Sequence, residues 1–171
     1  MSTNPFASSQ PAITPLPKAQ EVRELLENLV GRNIELLTGG PMVDPAGPGG
    51  AVVAEFVSDS FALNALVVMD VPAAAHISAA LALIPAAVSA EAAQQGELTD
   101  LFLEATHEVC NVISALFNKE GAPHLRLGTV HPPQTELPND ISSWVMAYVA
   151  RLDLELEVTG YGQGNLSILV L

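Results

Sequence analysis

The run Glu97–Asn118, ELTDLFLEATHEVCNVISALFN, constrains the fold more than any other stretch, because its apolar residues recur at three- and four-residue steps. Leu98, Leu101, Phe102, Ala105, Val109, Val112, Ile113 and Leu116 share one helical face, and Leu103, Thr106, Cys110 and Phe117 widen that arc. The polar remainder is a narrow stripe of Glu97, Asp100, Glu104, Glu108, Asn111 and Asn118. A helix patterned this way must be covered on most sides. Asp100/Glu104 and Glu104/Glu108 are like charges four residues apart, and each such pair is unfavourable by roughly 0.2–0.5 kcal/mol. The stripe reads either as the solvated face of an acidic protein or as a surface for docking something basic or for chemistry.

The chain has 171 residues, enough for one domain with a sizeable core. Hydrophobic residues make up 49% and charged residues 15%, a globular balance. Six basic residues against 19 acidic ones give a net charge of −13, which repels nucleic-acid phosphate and anionic membranes alike. A protein with exposed Lys or Arg is the better partner for an acidic face. The single cysteine, Cys110, falls on the apolar side of the central helix, reads as a small buried hydrophobe, and suits a reducing compartment. No basic start followed by an apolar run marks a signal peptide, and Val71–Val88 is interrupted by Pro72, His76 and Pro85. A soluble, cytoplasmic protein is expected.

Residues 1–18, with four prolines and no acid, read as a disordered tail, and residues 19–171 as one domain. A first helix is predicted over Ala19–Val30, with Val22, Leu25, Leu26 and Leu29 apolar and Gly31 as its stop. Asn33–Leu37 is a short strand. Gly39–Gly50, GGPMVDPAGPGG, lacks the Lys-Ser/Thr ending of a phosphate-binding loop and reads as a flexible connection. Ala51–Val57 and Leu63–Met69 form a hairpin, Ala73–Leu83 a short Ala-rich helix, and residues 84–96 a linker or irregular helix. His124–Val130 is a strand, residues 131–140 an irregular proline-bearing loop, and Val145–Val158 one long strand. In that last run Leu152, Leu154, Leu156 and Val158 alternate with Arg151, Asp153, Glu155 and Glu157, which predicts a buried face and a wet one. Gly160–Gly164 precedes the strand Leu166–Leu171, so GYGQG is a hairpin turn and not a dinucleotide fingerprint. The class is α+β: two long antiparallel helices layered on an antiparallel sheet. An exposed edge on the late strands would be covered by a homodimer.

His107-Glu108-Val109-Cys110-Asn111 starts like a zinc-protease signature and fails it, since asparagine stands at the second ligand position. His76, His124 and His131 have no metal-ligand spacing, and no serine lies in a nucleophile elbow. Glu108 and Asn111 do stand three residues apart on the wet stripe, side by side.

Here the chain resembles the CheC/CheX family of chemotaxis phosphatases, whose hallmark is an E-x-x-N pair on such a helix. EVCNVISALFN and the strand and proline-bearing loop after it are similar to that family. So is the first helix, ending ELLENLVGRNIEL, where Asn28 matches Asn111 and Leu25 stands in the place of Glu108. Glu104 departs from the family's Asp or Ser, and Pro132 and Pro133 fall near the family's proline without coinciding with it. The resemblance implies dephosphorylation of an aspartyl-phosphorylated response-regulator receiver domain. Asn111 would orient the attacking water and Glu108 would pair with the receiver's lysine. Asp100, Glu104 and Asn28 would help to seat the partner. The chain itself would bind no metal or other cofactor, the Mg²⁺ belonging to the receiver. The same fold serves in the middle domains of flagellar switch proteins, so a non-catalytic interaction or switch domain is the alternative. CheX-like members tend to be dimers and CheC-like ones monomers, which leaves association open.

Overall fold

The computed structural model describes residues 13–171. The first twelve residues of the expected tail lie outside the described residues. Residues 13–18 carry no regular secondary structure, and within them Thr14 is buried and Leu16 packs on the core.

Six strands make one antiparallel sheet in the order β1-β5-β6-β3-β2-β4. They are β1 (Ile34–Thr38), β2 (Ala51–Ser58), β3 (Leu63–Asp70), β4 (Leu125–His131), β5 (Ala150–Val158) and β6 (Gly162–Val170). Helices α1 (Ala19–Val30), α2 (Val71–Ala82) and α4 (Asp100–Ile113, extended by a 3₁₀ turn Ser114–Leu116) bury their apolar sides against one face of it. Val22, Leu26 and Val30 of α1 and Val109, Cys110 and Ile113 of α4 enter this core with Ile34, Phe56, Leu154, Leu156, Leu166 and Ile168. The α+β layering and both long helices of the sequence reading are present, as is the β2–β3 hairpin. Helix α3 (Ala86–Gln95) packs on α2, and α5 (Asn139–Val145) lies on the opposite sheet face with Val43 over Ala51, Val53, Leu66, Val68 and Leu169.

The most buried helix is α2, which the sequence suggested only as a short Ala-rich element. Asp70, the last residue of β3, caps it by accepting from Ala73 N at 2.9 Å, and Pro72 occupies its first turn. The same carboxylate takes Asn165 N and Asn165 Nδ2, both at 3.0 Å, tying the helix start to β6. The strand can lie this close because position 164 has no side chain: a Cβ there would stand 2.7 Å from Ala73 Cβ. Two buried polar links hold α2 to its neighbours. Thr106 Oγ1 donates to Phe102 O at 2.8 Å, so Ser78 Oγ donates to Thr106 Oγ1 at 2.8 Å. Ser89 Oγ donates to Ala86 O, so the 3.1 Å contact with His76 is a bond donated by Nδ1 of the imidazole.

Four expectations are corrected. Residues 84–96 contain the regular helix α3 rather than a linker or an irregular helix, because Ala, Glu and Gln favour helix even without an apolar stripe. The strand expected from Val145 begins at Ala150, since residues 139–145 form α5 and turn before entering the sheet. Arg151 and Asp153 are not on a wet face: they pair bidentately beneath α5, with Arg151 Nη1 donating to Val145 O at 3.2 Å and Ala147 O at 2.9 Å. Asp153 Oδ1 accepts from Ser167 Oγ at 2.6 Å, and of that row Glu155 and Glu157 are the exposed members. Finally, β5 and β6 are interior, and the sheet edges are β1 and β4.

Candidate functional site

Helix α4 carries its acids outward because its other sides are taken. Phe102, Thr106, Val109, Cys110 and Ile113 face the core, and Asp100, Glu104, Glu108 and Asn111 are exposed along the opposite side. Among the described residues the side chains of Glu108 and Asn111 make no hydrogen bond. The Asn111 carbonyl accepts from Ser114 Oγ at 2.6 Å, which begins the 3₁₀ turn. The amide of Asn111 and the carboxylate of Glu108 are thus both free for a partner, one turn apart on one face.

Two hollows flank this stripe. Between α1 and the C-terminal end of α4, Leu25, Leu29, Val112 and Leu116 form an apolar floor, with Glu21, Glu24 and Asn28 as its rim. Its volume is about 520 Å³. Asn28 therefore faces the hollow beside α4. Glu21 pairs with Lys119, which follows α4, and the Lys119 hydrogen bond together with the Lys18 N–H holds the Glu21 carboxyl below its ordinary range. On the other side of α4, Leu103, Glu104 and His107 border a second hollow with Val130 and Pro132. Glu104 and Pro132, the two departures from the family pattern, share this depression. Asp100 lies at the helix start and lines neither hollow.

The apolar floor escaped the sequence reading, where Leu25 and Leu29 counted as part of the apolar face of α1 and Leu25 also as the residue in the place of Glu108. A signal was present. Val22, Leu26 and Val30 already supply α1 with a buried row, so Leu25 and Leu29 form a second row that needs its own cover. Chemistry elsewhere is sparse. Burial pushes the Cys110 thiol up to about 12, so it supplies no thiolate. His131 Nε2 contacts Glu55 Oε2 at 2.6 Å and His124 lies 3.6 Å from Asp59. Among the described residues no group of three or more His, Cys, Asp or Glu could hold a metal ion, and no helix is long and apolar enough to cross a membrane.

No family profile and no curated protein sequence matches the chain. Solved structures do match its fold. FliY from Thermotoga maritima aligns over 86% of this chain and 81% of its own, at 14% identity and a TM-score of 0.53. The FliM middle domain from Vibrio alginolyticus aligns over 88% and 86%, at 12% identity and 0.54. That of H. pylori aligns over 89% and 84%, at 11% identity and 0.54. The likeness is one of fold: this chain shares the CheC-like architecture of the FliM and FliY middle domains.

Proposed function

We propose that this chain is a non-catalytic docking domain that binds a signalling or flagellar partner protein through the surface formed by α1 and α4. The observation that carries the reading is the hollow between them, with four apolar side chains at its floor and Glu21, Glu24 and Asn28 at its rim. Apolar floors rimmed by polar groups are where protein partners seat themselves, and an acidic rim selects a basic partner and speeds its arrival. The fold supports the same reading, since H. pylori FliM has been solved in complexes with FliG and with SpeE. A protein partner in a reducing cytoplasm also suits a chain with a single buried cysteine.

A second reading rests on Glu108 and Asn111, both exposed, whose side chains make no hydrogen bond among the described residues. In it the chain is an aspartyl-phosphate phosphatase. Glu108 would pair with a lysine of the phosphorylated receiver, and Asn111 would hold a water in line with the phosphoryl group. The Mg²⁺ needed would be the receiver's own.

One experiment separates the two. A FliG-type domain and a phosphorylated receiver domain are each titrated with the wild type and with Leu25→Glu, Glu108→Lys and Asn111→Ala. Receiver dephosphorylation is followed in the same samples. Docking predicts saturable binding of at least one of them, weakened at least about tenfold by Leu25→Glu, or 1.4 kcal/mol, with dephosphorylation unchanged. Accelerated dephosphorylation that Asn111→Ala removes, without a shift in melting temperature, makes the phosphatase reading the correct one.

A further inference from the structure

The sheet's own edge offers a second surface, which meets the α1–α4 hollow only at Glu24 of α1. We propose that the open edge of β1 is a docking site for an extended, Lys- or Arg-bearing segment of a partner protein, which adds to the sheet as a further strand. Two hydrogen bonds fix which way the backbone of β1 faces. Asn33 O accepts from Thr159 N at 3.0 Å, so Asn33 faces β5, and by alternation so do Glu35 and Leu37. Ile34 N donates instead to Glu27 Oε2 at 3.2 Å, on the opposite side. The groups of Ile34, Leu36 and Thr38 therefore line the open edge. Glu27 covers the first of these N–H groups, and those of Leu36 and Thr38 remain available, among the described residues, to an incoming strand.

Side chains of an added strand would alternate between two depressions that already exist. On the helix side a hollow of about 500 Å³ lies between α1 and Leu36, bordered by Gln20, Arg23, Glu24 and Glu27. On the outer side a cleft of about 330 Å³ includes Glu35, Leu37, Glu155 and Glu157. Helix α5 covers the other half of that sheet face and leaves this half bare, with Leu37 65% exposed. The charge pattern specifies the occupant. Glu35 lies directly opposite Glu157, and Leu37 directly opposite Glu155. Like charges in register destabilise a sheet, and among the described residues none of these three carboxylates has an ion-pair partner. A cation set opposite Glu35 on the added strand would offset that repulsion. A second copy of this chain would bring another acid row and a further −13 instead.

The test uses a labelled, end-blocked peptide of alternating lysine and valine, with a glutamate–valine peptide as its counterpart, followed by fluorescence anisotropy and by backbone amide shifts of the protein. The lysine peptide should bind, the glutamate peptide should not, and the largest amide shifts should fall at Leu36 and Thr38. Thr38→Pro removes an N–H that faces outward, a place where edge strands tolerate proline, and should weaken binding about five- to tenfold, whereas Thr38→Ala stays within about twofold. Glu35→Lys should abolish binding. The proposal is overturned if the lysine peptide does not bind, or if Thr38→Pro keeps both fold and affinity, since the attraction would then be charge alone. It is equally overturned if the wild-type shifts map away from β1, or if concentration-dependent shifts at Leu36 accompany a doubled mass in light scattering, which would seat a second copy there.

Discussion

At the scale of the residue, polar side chains that looked alike in the sequence do different work. Asn111 and Asn118 both lay on the expected stripe of one helix. Asn118 falls beyond the helix and mimics a strand: its Nδ2 donates to Leu125 O at 3.0 Å and its Oδ1 accepts from Leu125 N at 2.8 Å. It covers one end of the β4 edge, while the Asn111 amide has no partner among the described residues. No periodicity separates the two, since the difference arises from where α4 stops. His76 is another case. It is 5% exposed, and burial lowers its pKa from the ordinary value, the charge of Asp70 opposing only in part. The unfolded chain therefore takes up a proton at a higher pH than the native protein. Stability should be complete above the unfolded value near 6.5 and fall as pH drops toward the lower native value. Urea midpoints measured between neutral pH and pH 5 should show this slope, and His76→Gln should flatten it. An equal slope in the variant would assign the acid sensitivity to the carboxylates.

At the scale of the element, legibility followed periodicity. Helices α1 and α4 were visible because three- and four-residue apolar steps run through more than two turns, and Gly31 ends α1 in the left-handed conformation, φ 67°. Helix α5 was not, because seven residues after Pro138 hold too little repeat to compete with the alternation that follows. Arg151 and Asp153 continued the alternating pattern and so passed for wet residues, though the end of α5 and the turn after it supply the carbonyls of Val145 and Ala147 that Arg151 caps. The site was legible in part for the same reason: Glu108 and Asn111 follow from helical spacing, whereas the hollow beside them needs two elements and no single-element pattern contains it. Gly164 is the clearest instance of a residue whose meaning is tertiary. It reads as part of a turn, yet it sits within β6 where α2 crosses. Gly164→Ala should lower unfolding free energy by about 3 kcal/mol, because Ala73 belongs to helix backbone that cannot give way locally. A urea midpoint within error of wild type would mean that α2 slides on the sheet.

At the scale of the whole molecule, 19 acids against six bases set the behaviour more than any single pair does. Most ion pairs among the described residues are exposed; Arg151–Asp153 is the most enclosed, with side chains 8% and 15% accessible. Added salt thus has little attraction to screen and much repulsion. Raising NaCl to about 0.5 M should increase the melting temperature by about 2–4 °C, the shift worth about 1 kcal/mol in a chain of this size. A fall would show that attraction between charges dominates. The strand order carries one more consequence. Helix α1 rests on β1, but Ile34 pairs with Val158 and Thr38 with Leu154, so the first strand has no neighbour in the sheet until β5 exists. Pairings so distant along the chain are slow to find, because the loop between them must close first. On an elongating ribosome, β2 and β3 can zip up early while α1 and β1 wait, and the helix that completes the α1–α4 hollow is among the last parts of the protein to find its place.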